Sequence, residues 1–156
     1  MKKGFTLIEL LVVMVVVSIL VTVALPKYRT AMEKGRGLEG FANAGVLSDS
    51  ANAYYVRNYN SYGTDQGKLR TYITNVGAET TSKFFTHSNS GASDERIVLA
   101  DGTVTITLNR NLGAKSYNIV FVNSNGEVTS RYCTGYEKYC KSLGATTVRS
   151  EGGWFF

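Results

Sequence analysis

The sequence has few of the residues that build catalytic and metal sites. Its 156 residues include a single histidine, His87, and two cysteines, Cys133 and Cys140. One histidine without a nucleophile motif does not supply a catalytic triad, and one cysteine pair does not complete a zinc site. We therefore predict that the chain is not an enzyme and holds no cofactor or metal.

The excess of positive over negative charge is also small. The 17 lysines and arginines exceed the 12 acidic residues by only five, and no run or stripe of basic residues stands out. A nucleic-acid partner is therefore not expected, because phosphate binding needs concentrated positive charge. Asp94, Glu95 and Asp101 leave calcium binding as a minor alternative, although the spacing of an EF-hand is absent.

The apolar residues are concentrated near the start of the chain. Between Phe5 and Leu25 the aliphatic run is interrupted by four residues, Thr6, Glu9, Ser18 and Thr22. As a helix of about 21 residues this segment would be about 31 Å long, enough to cross the hydrocarbon core of a membrane. Lys2 and Lys3 favour a cytoplasmic N-terminus, although basic residues that follow the run weaken that argument.

Three interpretations of this segment differ in the role that they give to Glu9. A conventional signal peptide, cut before Leu25, and a plain membrane anchor both fit the apolar run. Neither has a use for a carboxylate, which costs about 2.5–3.5 kcal/mol near the centre of a membrane span and less near its end. The third interpretation makes Glu9 a functional residue with a specific partner, as is usual for a carboxylate within a membrane.

The stretch from Lys2 to Val13, which reads KKGFTLIELLVV, resembles the N-terminus of type IV pilins and type II secretion pseudopilins. The resemblance implies that a prepilin peptidase cuts between Gly4 and Phe5 and that Phe5 becomes N-methylated. It also implies a precursor in the inner membrane with a cytoplasmic N-terminus. The inner-membrane assembly machinery would then build an extracellular filament from copies of this chain and other pilin-like subunits.

The proposed cut creates a positive charge that could act in assembly together with Glu9. Cleavage leaves an amine at Phe5, while Glu9 lies one helical turn further along. The two are poorly placed for contact within one helix, but they can meet between neighbouring subunits that are offset along a filament. Since removing one partner of a buried charge pair costs about 3–5 kcal/mol, the pair would set the register of polymerisation.

The helical pattern continues well beyond the apolar run. Pro26, the only proline, should kink the helix, because it removes a backbone hydrogen bond. Apolar residues recur at helical spacing afterwards, so we predict one helix from Phe5 to about Asn58. The predicted division is a leader at 1–4, a membrane and filament-core segment at 5–29 and a globular pilin domain at 30–156. Several glycines near the middle of the helix either allow close packing or are simply tolerated.

The rest of the chain predicts a sheet. Segments 96–100 and 103–108 flank Asp101-Gly102 as a hairpin, and 116–122 and 127–132 flank a turn at 123–126. A short helix is expected around 68–76. The fold class is therefore α+β: a long N-terminal helix, kinked near Pro26, packs its C-terminal half on a four-stranded antiparallel meander, as in the pilin fold.

Cys133 and Cys140 close a short loop after the last predicted strand. An even count in an exported chain suggests one disulfide, whereas two free thiols would fit a reducing compartment. Type IV pilins commonly have a disulfide-bonded loop at this place, so the resemblance also implies the bond. Trp154, Phe155 and Phe156 are expected to pack against the globular part, with a subunit contact as the alternative.

The sequence therefore predicts a structural subunit of a type IV pilus, held by membrane lipid before assembly. A type II secretion pseudopilin or a minor pilin is the alternative within the same class. A secreted binding module with a conventional signal peptide is the alternative from another class. No feature of the sequence says whether the filament would serve motility, DNA uptake or adhesion.

Overall fold

The first element is a long helix. The computed structural model describes residues 5–76, 84–85 and 97–156. Helix α1 spans Leu7–Arg57 and continues through Pro26, as predicted, while the kink at Pro26 stays a prediction. The chain divides into two compact units, residues 1–33 and residues 34–156. The first unit holds the apolar part of α1, and the second holds the rest of α1 and the sheet.

The remaining elements form an antiparallel sheet with short helices. The helices are α2 (Gln66–Val76), a 3-10 turn (Gly113–Lys115) and α3 (Glu137–Ser142). The strands are β1 (Ile97–Ala100), β2 (Thr103–Arg110), β3 (Tyr117–Ser124), β4 (Glu127–Gly135), β5 (Thr147–Val148) and β6 (Trp154–Phe155). Their order in the sheet is β1-β2-β3-β4-β6-β5. The α+β class is therefore confirmed.

The predicted number of strands is wrong. Within the described residues the sheet has six strands rather than four, because β6 pairs with β4 and β5 pairs with β6. Each of the two additional strands is two residues long. A segment of that length shows no alternation of apolar and polar residues, so its pairing depends on contacts with the rest of the fold.

Two glycine turns set the register of the sheet. Asp101 and Gly102 have φ of 49° and 72°, and Asn125 and Gly126 have φ of 54° and 80°. Positive φ at both central residues is the geometry that two-residue hairpins favour. The second turn is shorter than predicted, because β3 continues to Ser124.

Asn123 explains why β3 is longer than the sequence suggests. Its side chain is fully buried. The amide donates from Nδ2 to the carbonyl of Val104 at 3.2 Å, and its oxygen accepts a short hydrogen bond from the Ser48 hydroxyl of α1. A buried amide is acceptable in a strand when both of its polar atoms are bonded, and here they join helix to sheet.

The core lies between residues 34–57 of α1 and one face of the sheet. Alternate residues of β2 and β3 supply the sheet side, and small residues dominate on the helix. The principal core residues are Ala44, Leu47, Ala51, Val104, Ile106, Leu108, Tyr117, Ile119 and Phe121. Small helix residues allow the helix to lie close to the larger side chains of the sheet.

Two glycines of α1 are sites of close approach. A Cβ atom at Gly37 would lie 2.4 Å from Cδ2 of Leu143, and one at Gly40 would lie 2.5 Å from the Phe85 ring. Gly35, in contrast, meets open space. Close packing therefore applies at Gly37 and Gly40, whereas Gly35 is simply tolerated in the helix.

The aromatic residues that follow the disulfide pack on the globular unit, as expected. Trp154 lies beside Cys133 of β4 and packs against the core. The Phe156 ring lies 4.9 Å from the Phe41 ring, which in turn lies 5.0 Å from Phe121. These edge-on contacts join the end of the described chain to α1 and to the sheet.

Candidate functional site

The start of α1 is closed by a reciprocal cap. Thr6 immediately precedes Leu7, the first helical residue. Its backbone N–H donates to Oε2 of Glu9 at 2.8 Å, and its hydroxyl donates to the same oxygen at 2.7 Å. The backbone N–H of Glu9 lies 3.4 Å from the Thr6 hydroxyl. This exchange is a capping box, which satisfies backbone N–H groups that a helix start leaves without partners.

The cap gives Glu9 a role that the sequence analysis missed. Thr6-Leu7-Ile8-Glu9 matches the S/T-x-x-E signature of a capping box, so the signal was present in the sequence. A membrane anchor therefore does have a use for Glu9, contrary to our expectation. Both side-chain bonds end on Oε2, which leaves Oε1 available for a second partner.

The apolar part of α1 is exposed over its whole length. Every side chain from Phe5 to Leu25 is exposed. Within this helix, an 18-residue window has a mean hydropathy of 2.9 and none of it is buried. The helix is thus long and apolar enough to cross a membrane. An exposed apolar surface of this extent is costly in water and is typical of a segment covered by lipid or by another protein.

The other polar side chains of this segment are bonded within the helix. Ser18 donates to the carbonyl three residues earlier at 2.8 Å, and Thr22 donates to the carbonyl of Ser18 at 2.7 Å. Thr30 donates to the carbonyl of Pro26 at 3.1 Å. Between residues 5 and 26, Glu9 is therefore the one ionisable side chain, and its carboxylate is exposed.

The predicted cleavage site lies only partly within the described chain. Gly4 is outside the described residues, and Phe5 is the first of them. Phe5 is 77% exposed and lies before the cap residue Thr6. Cleavage after Gly4 and methylation of Phe5 therefore stay predictions.

Cys133 and Cys140 form a disulfide, as predicted. Their Cα atoms are 5.5 Å apart, and both side chains are fully buried. The position differs in detail from the expected loop, because Cys133 lies within β4 and Cys140 lies in α3. The bond therefore fastens the short helix α3 to the sheet rather than closing an irregular loop.

Removing this disulfide should destabilise the globular unit. For a loop of this size the expected loss is about 2–3 kcal/mol when both Cys133 and Cys140 are replaced by Ser. The melting temperature should fall by roughly 5–15 °C. Thermal unfolding followed by circular dichroism measures the change, and reduction of the unmodified chain should reproduce it. An unchanged melting temperature in both experiments would contradict this prediction.

Comparisons with known proteins agree with this geometry. Residues 1–25 match the family described as the prokaryotic N-terminal methylation motif. The chain is similar to pilins. It is 30% identical over 109 residues to the type IV major pilin protein PilE of Neisseria gonorrhoeae, a match that covers 70% of this chain. It is also 39% identical over 54 residues, or 35% of this chain, to the fimbrial protein EcpC of Eikenella corrodens.

The matches cover only part of these relatives. The pilin-like chain spans 58% of the length of PilE and 35% of the length of EcpC. No solved structure matches the chain. The recognition of a pilin-like protein therefore depends on the N-terminal motif and on the two relatives, and the fold agrees with both.

The positions of the candidate metal ligands are known only in part. Within the residues that the structure describes, no three His, Cys, Asp or Glu side chains come together as a candidate metal site. Asp101 lies in the first hairpin turn. His87, Asp94 and Glu95 lie outside the described residues.

Proposed function

We propose that this chain is a structural subunit of a type IV pilus. One observation carries the proposal: an exposed apolar helix starts with a methylation motif and contains a single carboxylate, Glu9, at its capped end. An apolar surface of this kind is stable in lipid before assembly and among neighbouring helices afterwards. The partners are thus copies of this chain, other pilin-like subunits, membrane lipid, the prepilin peptidase and the assembly machinery of the inner membrane.

Processing creates the second charge that assembly requires. The peptidase removes residues 1–4, so Phe5 carries a terminal amine at the edge of the membrane. Glu9 then keeps its cap with Thr6 through Oε2 and offers Oε1 to the amine of a neighbouring subunit. In an apolar surrounding the pair is strongly preferred to either charge alone. Only one axial offset brings the two groups together, so the pair determines the register.

A secretion pseudopilin or a minor pilin is the second candidate. The N-terminal motif is common to these subunits, so the capped helix supports each of them equally. The amount of this chain in filaments sheared from the cell surface decides between the candidates. A major pilus subunit should make up most of the protein in that fraction, whereas a minor subunit should be a trace component and a pseudopilin should be absent.

Gly4 should be required for processing. A residue without a side chain precedes the predicted cut, so replacing Gly4 with Leu should leave most of the chain unprocessed in the membrane. Intact-mass analysis of the membrane fraction measures the removal of residues 1–4. Lys3→Gln serves as the matched control, because it changes a neighbouring residue outside the cut and should be processed normally. Efficient cleavage of the Gly4→Leu chain would show that the assigned cut is wrong.

The secreted-module alternative makes a different prediction for the mature N-terminus. Sequencing of the exported protein should give N-methylated Phe5 for a pilin-like subunit. A chain that starts at Leu25 would instead indicate a conventional signal peptide. That cut would fall within the continuous helix α1 and would remove Glu9 from the mature protein.

A further inference from the structure

The globular unit, residues 34–156, carries opposite charges at the two ends of its sheet. Asp101 lies in the turn between β1 and β2, and Glu127 directly follows the turn between β3 and β4. Both side chains are exposed. The two turns lie at the same end, because Thr103 pairs with Ser124, which in turn pairs with Glu127. We name Asp101 and Glu127 the acidic turns.

The other end of the sheet carries three exposed lysines. Lys115 ends the 3-10 turn between β2 and β3, and Lys138 and Lys141 lie on α3, directly after β4. Lys138 and Lys141 line an open cavity of about 730 Å³. Glu137 also lines it and pairs with Lys141 at 2.6 Å. The cavity lining therefore carries two ammonium groups and one carboxylate, and Lys115 is exposed at the same end of the sheet. We name this end of the described unit the lysine cavity.

The two ends are too far apart to neutralise each other within one chain. Strand β4 runs from Glu127 to Gly135, so its nine residues separate the ends by about 27 Å. Two basic groups beyond the sheet, Arg57 and Lys68, already have other contacts. Arg57 stacks over the Tyr72 ring with 5.8 Å to its centroid, and Lys68 pairs with Asp65 at 3.6 Å. The acidic turns and the lysine cavity are therefore complementary only between molecules.

We propose that the lysine cavity receives the acidic turns of a second copy of this chain, stacked along the direction of the strands. This contact is heterologous, since two different surfaces meet, and repetition of such a contact generates an open filament rather than a closed dimer. The inference rests on the proposed function and adds to it a contact between globular units. Complementary charge at the rim of an interface favours one orientation over others and speeds correct association.

Carbodiimide treatment of sheared filaments tests the contact directly. This reagent joins an amine to a carboxylate that is already in contact and leaves no spacer. We expect mass spectrometry to identify peptides that link Lys138 or Lys141 to Asp101 or Glu127. Such links can only form between copies, because the ends are about 27 Å apart in one chain. Filaments whose lysine links all lie elsewhere would overturn the proposal.

Charge reversal provides a second test in the full chain. The double substitution K138E/K141E and the double substitution D101N/E127K should each lower filament yield about three- to tenfold, as expected for a few exposed charge pairs. Asn is chosen at position 101 because it tolerates positive φ. Combining all four substitutions places opposite charges together again and should restore most of the yield. K68E, which reverses the cationic partner of the exposed Asp65 pair, is the matched control and should leave the yield unchanged.

The possible results separate this contact from the proposed function. Immunoblots of processed subunit in the membrane show that each variant is made and processed, and circular dichroism of the purified variants shows that they are folded. Unchanged filament yield in both reversed variants, or no recovery in the combined variant, would overturn the stacking contact while leaving the pilus subunit intact. Loss of surface attachment by K138E/K141E with normal filament yield would also overturn it, since the cavity would then bind another acidic partner. A wild-type chain that forms no filaments would overturn the proposed function itself, and the stacking with it.

Discussion

Replacing Glu9 with Val should nearly abolish filaments while leaving the chain inserted in the membrane and processed. The substitution makes the apolar segment more hydrophobic, so insertion should be intact, and the bond between Gly4 and Phe5 is unchanged. The Phe5 amine of a neighbour would remain unpaired in an apolar surrounding. A loss of about 3–5 kcal/mol per contact predicts a decrease of more than about 100-fold in filament yield. Immunoblots of the membrane fraction and of the sheared fraction measure processing and assembly separately.

The capping box makes it possible to distinguish the charge of Glu9 from its role in the helix cap. Glu9→Gln keeps an oxygen that can accept from the Thr6 N–H, because Gln also fits the capping box, but it removes the charge. Thr6→Val removes the capping hydroxyl and keeps the charge. We expect Glu9→Gln to fail in assembly like Glu9→Val. Thr6→Val should lose only about 0.5–2 kcal/mol of helix stability and still form filaments. If Glu9→Gln instead forms filaments and Thr6→Val does not, Glu9 acts only in the helix cap.

Removing residues 1–29 should convert the membrane-bound chain into a soluble, folded monomer. The side chains from Phe5 to Arg29 are exposed, and residues 34–156 contain a buried core of their own. The remaining helix can also acquire a new cap, because Thr30-Ala31-Met32-Glu33 repeats the S/T-x-x-E signature. Analytical ultracentrifugation should show one species of monomer mass, and circular dichroism should show a cooperative unfolding transition.

A matched control examines the contribution of the new cap. In the truncated chain, Thr30→Ala should lower stability by about 1 kcal/mol without changing solubility. An insoluble or unfolded product from the truncation itself would mean that the first 29 residues contribute to the core of the globular unit.

The elements with a strong local pattern could be predicted from the sequence. Helix α1 was expected at 5–58 and spans Leu7–Arg57, because its apolar residues recur at helical spacing over many turns. The hairpin around Asp101-Gly102 was also predicted, because glycine after aspartate provides the positive φ that the turn needs. Helix α2 began two residues earlier than expected, where Asp65 accepts from the backbone N–H of Lys68. That hydrogen bond also lowers the pKa of the Asp65 carboxyl.

The elements that depend on distant contacts could not be predicted. Strand β6 consists of Trp154 and Phe155, and only its position beside β4 makes it a strand. Helix α3 is six residues long, below the length at which a helical pattern can be recognised, and the Cys140 bond to β4 holds it in place. The cap at Glu9 is different. Its signal, Thr6-Leu7-Ile8-Glu9, was local and present in the sequence. The cost of a carboxylate in lipid, however, favoured a partner in another molecule over one within the same helix.

The contacts at Gly37 and Gly40 have a mechanical consequence. Leu143 and the Phe85 ring lie against bare backbone on one face of α1, three residues apart along the helix. A pulling force along the helix axis would have to slide this backbone past both side chains. The residues one helical turn beyond the pair, Glu33 and Ala44, carry side chains. Sliding in either direction would therefore bring Leu143 or Phe85 into collision with a side chain. Because the helix lies along the core, its contacts would also have to break together rather than one after another. We expect a globular unit fastened in this way to resist shear, which is the load that tension would place on each subunit of the proposed filament.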